Sequence, residues 1–191
     1  MKSTLAITFF VLLVNLSFSQ LTVVKKEGRS VMTKLGMGVK LNEGSSLMRE
    51  YITINDTTCP IQLADVGLET SYSTSNYFFR SVGNLTAKAP IVAYEITHVI
   101  YNVFGEHMKS LSNTEVIDLD KQSIFVKYSS WNASENDVIQ YLTCISYVSK
   151  VRTKDGKIWR YNFNELKEQL NKIEILLDDG HLPKKNIEND R

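Results

Sequence analysis

The sequence predicts a mostly β protein: an antiparallel β-sandwich of about seven or eight strands, followed by one C-terminal amphipathic helix. Three observations predict it. Short alternating or β-branched segments recur through residues 48–163, separated by turn residues. The pair Asp155-Gly156, a strong hairpin signal, divides two of them. After residue 163 the apolar period lengthens from two to about 3.6 residues.

The elements follow in order. Residues 1–19, MKSTLAITFFVLLVNLSFS, read as a secretory signal peptide. Lys2 supplies the positive start, an apolar run follows, and Ser17 and Ser19 precede a cut ahead of Gln20. The run is shorter than the roughly 20 apolar residues that cross a bilayer. The expectation is a secreted or periplasmic chain with no stable membrane insertion after cleavage. Residues 20–47 form a lead-in with one or two short strands and four glycines.

The sandwich is placed at 48–163. MREYITI alternates, and NDTTCP ends it with turn residues and a proline. IQLADVGLETSY follows, with Gly67 as a candidate bulge. YFFRSVGNLTAKAP ends at Pro90, which cannot donate to a central ladder. In the long run 91–104, Val92, Tyr94, Ile96, Ile100 and Phe104 share a parity with His98. The other parity carries Val99, Tyr101 and Val103, so both faces are partly apolar and the strand reads as central. HMKSLSNTEVIDL, SIFVKYSSW and VIQYLTCISYVSKV supply three more strands.

At the Asp155-Gly156 hairpin two registers compete. A two-residue turn pairs Arg152 with Trp159. A three-residue loop with Gly156 in a bulge pairs Val151 with Trp159 and gathers the apolar residues on one face. The second is preferred, because a one-residue slip moves every side chain to the opposite face. Beyond it, Leu166, Leu170, Ile173 and Leu177 fall at helical spacing over 164–179, with Asn162 and Glu165 resembling a capping box. Residues 180–191 are polar and read as a disordered tail.

The segments CPIQLADVG, IVAYEITHVIYNVFGE and YVSKVRTKDGKIW together resemble small immunoglobulin- or fibronectin-like domains of secreted bacterial proteins. The resemblance spans roughly residues 50–161. It implies an Ig-like sandwich and no active site.

Charge narrows the partners. The first 19 residues hold one of the 22 basic side chains and none of the 21 acidic ones, so the mature chain is balanced. A neutral chain without a basic block lacks the electrostatic footprint for nucleic acid or an anionic membrane. Cys59 and Cys144 can persist as a disulfide in an exported chain, or remain as two buried thiols. Neither has a second Cys or His at zinc-ligand spacing.

His98, Glu106 and His107 lie close in sequence. A two-residue type II′ turn at Gly105-Glu106 pairs Phe104 with His107. His98 then stands about 20 Å away along the strand, too far to share a metal. His181 stands near Asp178 and Asp179, a set that can bind a divalent cation but reads first as a solvated helix end. Asp118 and Asp120 offer paired carboxylates, as any acidic loop does. No G-x-S-x-G elbow, catalytic-Cys signature or phosphate-cradling glycine loop occurs, so no cofactor is expected.

Aromatic side chains near strand ends are the better candidates: Tyr72, Tyr77, Phe78, Phe79, Tyr128 and Trp131. Trp131, in the polar stretch SSWNASEND, leads as an exposed anchor, with Tyr128 and Tyr77 beside it. Asn55, Asn84 and Asn132 each begin an N-x-S/T sequon. The expected function is an exported, non-enzymatic binding or interaction module, engaging an envelope protein or glycan. The alternatives are a secreted hydrolase of polysaccharide or peptide, and a structural subunit of an envelope assembly.

Overall fold

The computed structural model describes residues 21–125 and 129–164. Among them run ten strands and one short helix. The strands are β1 (Leu21–Ser30), β2 (Met48–Asp56), β3 (Ile61–Ser73), β4 (Asn76–Ala87), β5 (Ile91–Asn102) and β6 (His107–Leu119). After β7 (Ser123–Phe125) and β8 (Ser130–Ala133) come α1 (Glu135–Gln140), β9 (Tyr141–Thr153) and β10 (Ile158–Arg160).

The chain is mostly β, in two sheets. The larger runs β1-β2-β9-β5-β6, with β10 also on β9. The smaller runs β3-β4-β7, with β8 also on β4. All pairings are antiparallel except that of β2 with β9, which is parallel. That exception departs from the all-antiparallel expectation. β2 and β9 are remote in sequence, so no tight turn dictates their relative direction.

The sheets enclose two apolar clusters. One joins Ile61, Leu63, Leu85 and Ala87 of the small sheet to Tyr94, Ile96, Val148 and Val151 of the large one. The other joins Leu68 and Phe79 to Tyr51, Ile100, Tyr141 and Cys144. A third cluster lies on the opposite face of the large sheet: Ile52, Ile54, Val99, Tyr101, Ile145 and Tyr147, with Tyr161. β5 lies between β9 and β6 and contributes to all three clusters, as its two-sided pattern predicts.

The inner face of β2 is unlike that of β5. Arg49, Thr53 and Asn55 are buried there among few apolar neighbours on their own strand. Their side chains bond to β3, the edge strand of the small sheet. Asn55 donates to the Leu63 carbonyl at 2.9 Å and accepts from its N–H at 2.7 Å. Thr53 donates to the Val66 carbonyl at 3.0 Å, and Tyr141 to the Leu68 carbonyl at 2.9 Å. Arg49 donates to Thr70 at 2.9 Å. An open strand edge leaves backbone groups unpaired. Here side chains of the large sheet satisfy it, and they tie the two sheets together along one side.

The glycines mark two tight places. β3 carries a bulge between Ala64 and Gly67, at the expected glycine. The Tyr51 ring also presses on Gly67, where a Cβ would stand 2.7 Å from the ring. Gly105 has φ 79°, a conformation that glycine adopts without strain.

Several expectations change. β1 pairs with β2 from Leu21 to Ser30, so the large sheet begins well before residue 48. The single strand expected over SIFVKYSSW divides into β7 and β8, both on β4, with residues 126–128 outside the described chain. The next strand begins only at Tyr141, because α1 precedes it. Ser134 and Asp137 form the capping box that starts this helix. The β9–β10 hairpin has the bulged register, with Trp159 opposite Val151. Of the amphipathic helix expected over 164–179 only Asn164 is described; the remainder, the expected tail and the expected signal peptide lie outside the described residues. Just before the expected helix, Asn162 Oδ1 accepts from the Asn164 N–H at 3.2 Å, the kind of bond an N-cap side chain makes.

Candidate functional site

His98 sits in the middle of β5 with its ring on the inner face, completely buried. Its Nε2 lies 2.9 Å from Ser81 Oγ of β4, and its Nδ1 lies 2.8 Å from Ser146 Oγ of β9. The network therefore spans both sheets. Trp131 meets the imidazole edge-on, with ring centroids 5.7 Å apart. Cys144 Sγ stands 3.9 Å from Nδ1. A Cys beside a His is the pairing that thiol nucleophiles use, but the electrostatics oppose it. Burial pushes the imidazole down to about 3 and the thiol up to about 12. Both groups are neutral at physiological pH, so no thiolate–imidazolium pair forms. With both ring nitrogens bonded to hydroxyls, His98 serves to join the sheets.

The other histidine and cysteine expectations resolve similarly. His107 pairs with Tyr101, and the turn is longer than the two residues expected. Asn102 builds it: Oδ1 accepts from the N–H groups of Phe104 and Glu106, both at 2.9 Å, and Nδ2 donates to the Glu106 carboxylate. This register brings His107 to about 10 Å from His98 along the strand, closer than the expected 20 Å. The rings nonetheless leave the sheet on opposite faces, since His107 stacks edge-on with Tyr101 at 5.9 Å. No group of three metal-ligating side chains occurs among the described residues. His181 lies outside them.

Cys59 and Cys144 are both free and buried, in different core clusters, so the structure has the two-thiol alternative and no bridge. Burial raises the Cys59 thiol to about 12 as well. Asp118 and Asp120 both contact Lys154, at 2.5 and 2.9 Å. They hold one cation between them on the surface.

The sequence-chosen aromatics disperse. Trp131 is in β8, opposite Phe79, half-buried against the inner core and His98. Its expected place in an exposed loop is therefore corrected: the alternation of β8 turns it inward. Phe79 is fully buried in the same cluster. Tyr77, the second residue of β4, lies 4.8 Å from Tyr72, which is 62% exposed at the hairpin end. Tyr128 lies outside the described residues. Asn55 is buried with its amide engaged twice, so that sequon is closed to modification, whereas Asn132 is exposed.

A different place has the form of a binding site. A groove of about 690 Å³ opens where the β9–β10 hairpin meets the chain around Pro60 and Pro90. Its apolar wall is Pro60, Ala89, Pro90, Ile158 and Trp159, and Lys154, Asp155 and Lys157 border it. Trp159 is held at two points: its Nε1 donates to Thr58 Oγ1 at 3.1 Å, and its ring packs edge-on with Tyr161 at 6.0 Å. Ile158 is about half exposed. The charges along the rim are mutually paired, Lys157 with Asp155 at 2.8 Å and Lys154 with the two aspartates. Lys154 also borders a neighbouring depression lined by Val92, Val116, Ile117 and Asp118.

Sequence reasoning does not single out this groove. Its signals are present, a Trp following an Asp-Gly turn and two prolines flanking strands, but their convergence depends on tertiary packing. No helix of the described residues is long and apolar enough to cross a membrane. No family model, curated protein or solved structure matches the chain.

Proposed function

We propose that the protein is an exported Ig-like binding module of the cell envelope that works without bond-making chemistry. Its partner is an envelope protein or glycan, and the groove at Trp159 is the contact. The single observation that carries this reading is the hydrogen-bonded indole in an apolar wall shared with Pro60 and Pro90. A fixed aromatic face offers large contact area at little entropic cost, to the apolar face of a sugar ring or to an apolar side chain. The buried His98, Cys59 and Cys144 support the same reading, since burial holds each of them neutral at working pH. The paired rim charges fit a partner of low net charge.

The test uses the mature chain and its Trp159→Ala variant. Soluble peptidoglycan fragments, neutral oligosaccharides and detergent-extracted envelope proteins are titrated while tryptophan emission is followed. The expected result is saturable binding by one class, weakened at least tenfold in the variant, with unchanged circular dichroism. Binding that ignores Trp159, or catalytic turnover of any of these probes, contradicts the proposal.

A further inference from the structure

Residues 31–47, between β1 and β2, build two small hairpins on one junction. Val31, Val39 and Leu47 exchange backbone hydrogen bonds in a ring. The Val31 N–H donates to the Leu47 carbonyl at 2.8 Å, Val39 to Val31 at 2.9 Å, and Leu47 to Val39 at 2.9 Å. The first hairpin closes with the Thr33 N–H on the Met37 carbonyl and the Gly36 N–H on the Thr33 carbonyl. The second repeats the pattern, with Leu41 donating to Ser45 and Gly44 to Leu41. Gly36 and Gly44 hold the same left-handed conformation, φ 74° and 79°.

The two tips share a backbone and differ in side chains. The second presents Asn42 and Glu43, which suit water. The first presents Leu35, 82% exposed, where the second has Glu43. It presents Met37, 60% exposed, where the second has Ser45. Met32 of the same hairpin is exposed as well. The turn does not require these apolar residues, since its counterpart forms without them. Apolar side chains grouped on the surface in this way mark a contact.

Charge narrows what the tip meets. The near-balance of the whole chain conceals an uneven distribution: residues 21–47 hold five basic side chains and two acidic ones. Lys34 stands in the apolar tip itself. Lys26 and Arg29, further back on β1, also reach Asp65 and Glu69 of β3, at 3.5 and 3.7 Å. A second copy would bring the same basic segment, and like charges repel. A protein partner needs a recess shaped to the tip, whereas a lipid surface takes an apolar tip without one. The turn also satisfies much of its own backbone, as entry into a lipid boundary demands: Thr33 Oγ1 accepts from the Met37 N–H at 3.3 Å, beside the closing bonds.

We propose that the hairpin of residues 31–39 is a membrane-contact finger. Met32, Leu35 and Met37 enter the boundary between headgroups and acyl chains of an anionic lipid surface, and Lys34 stays with the headgroups. The contact is peripheral and reversible, and it is independent of the Trp159 groove.

The experiment measures cosedimentation of the protein with vesicles of phosphatidylcholine alone and of equimolar phosphatidylcholine and phosphatidylglycerol. The expected result is binding to the mixed vesicles that falls with added salt, and weak binding to phosphatidylcholine alone. The double variant Leu35→Gln, Met37→Ser copies the polarity of the second tip without adding charge. It is expected to bind the mixed vesicles about tenfold more weakly or worse, with unchanged circular dichroism. Tryptophan emission of Leu35→Trp is expected to shift to the blue on these vesicles, and that of Glu43→Trp is not. Protein that stays in the supernatant, equal binding by the double variant, or equal shifts from both tryptophans overturn the proposal. So does a dimer, or a complex with an extracted envelope protein, that the double variant loses, because either assigns the tip to a protein. The vesicles offer no sugar or protein to the Trp159 groove, so failure here is distinct from failure there.

Discussion

The two faces of the large sheet bury similar strands by different means. The inner face mixes apolar clusters with a run of polar side chains: Arg49, Thr53, Asn55, His98 and Ser146 are all buried there. The outer cluster is built from aliphatic and tyrosine side chains. The difference follows from what each face meets. The inner face confronts an edge strand, β3, whose backbone groups must be satisfied, and it confronts β4 through the Ser81–His98–Ser146 network. Among the described residues, the outer face meets no such edge. Buried hydrogen bonds need one geometry, so the inner face fixes how the two sheets align, whereas the apolar outer face mainly contributes burial.

The sharpest way to separate the faces is acid, and it carries the largest expected effect. The folded His98 holds its proton only below about pH 3, while an unfolded histidine titrates near 6.5. The unfolded state therefore binds more protons between these values. Stability from this group is fully present above pH 6.5 and is lost as pH falls toward 3, by on the order of 5 kcal/mol. Urea midpoints measured at intervals from pH 7.5 to 4 are expected to decline for the wild type. His98→Gln is expected to flatten the part of that decline that belongs to the inner face. An unchanged slope in the variant would assign the acid sensitivity elsewhere.

Ring deletion compares burial on the two faces. Phe79→Ala on the inside and Tyr147→Ala on the outside are each expected to cost about 3–5 kcal/mol by urea denaturation. Equal losses mean that the outer face is as well covered as the inner. A Tyr147→Ala cost below about 1 kcal/mol would mean that it is not.

Arg49 tests the polar locking of the inner face. Its guanidinium donates to the carbonyls of Tyr141 at 3.2 Å and Val138 at 2.9 Å, as well as to Thr70, and it lies over the Tyr141 ring. Arg49→Met keeps the stem and removes the donors. The expected loss is about 2–3 kcal/mol, with the earliest gain of amide exchange in α1, whose C-terminal carbonyls lose their partner. Exchange that rises uniformly would deny Arg49 this local role. The smallest effect belongs to neither face. Lys154→Ala removes a surface cation from Asp118 and Asp120, and it is expected to shift the urea midpoint least of all, by an amount that shrinks further with added salt.

Much of the fold is legible because periodicity reports burial. The segment around Val99 and Tyr101 reads as central since both parities are apolar, and the hairpin register follows from keeping Trp159 with Val151. Three features escape. Helix α1 has only six residues, too few for an apolar period, and its one signal is the Ser134–Asp137 spacing. The β5–β6 turn differs from expectation because Asn102 closes it with its side chain, and a glycine-centred reading ignores that option. Trp131 has the polar neighbours of a loop anchor, yet a four-residue strand next to β4 faces it inward. The candidate site is the least legible part. Pro60, Pro90 and Trp159 are far apart in sequence, and only the closure of the two sheets brings them together.

The most direct test follows the His98 ring by NMR on the protein, recording its imidazole shifts from pH 8 to pH 4.5. The structure requires a neutral imidazole across that range, with slowly exchanging signals and no midpoint. A midpoint near 6.5 would contradict it, because it would place a solvent-reachable base where the structure puts a buried tie between two sheets.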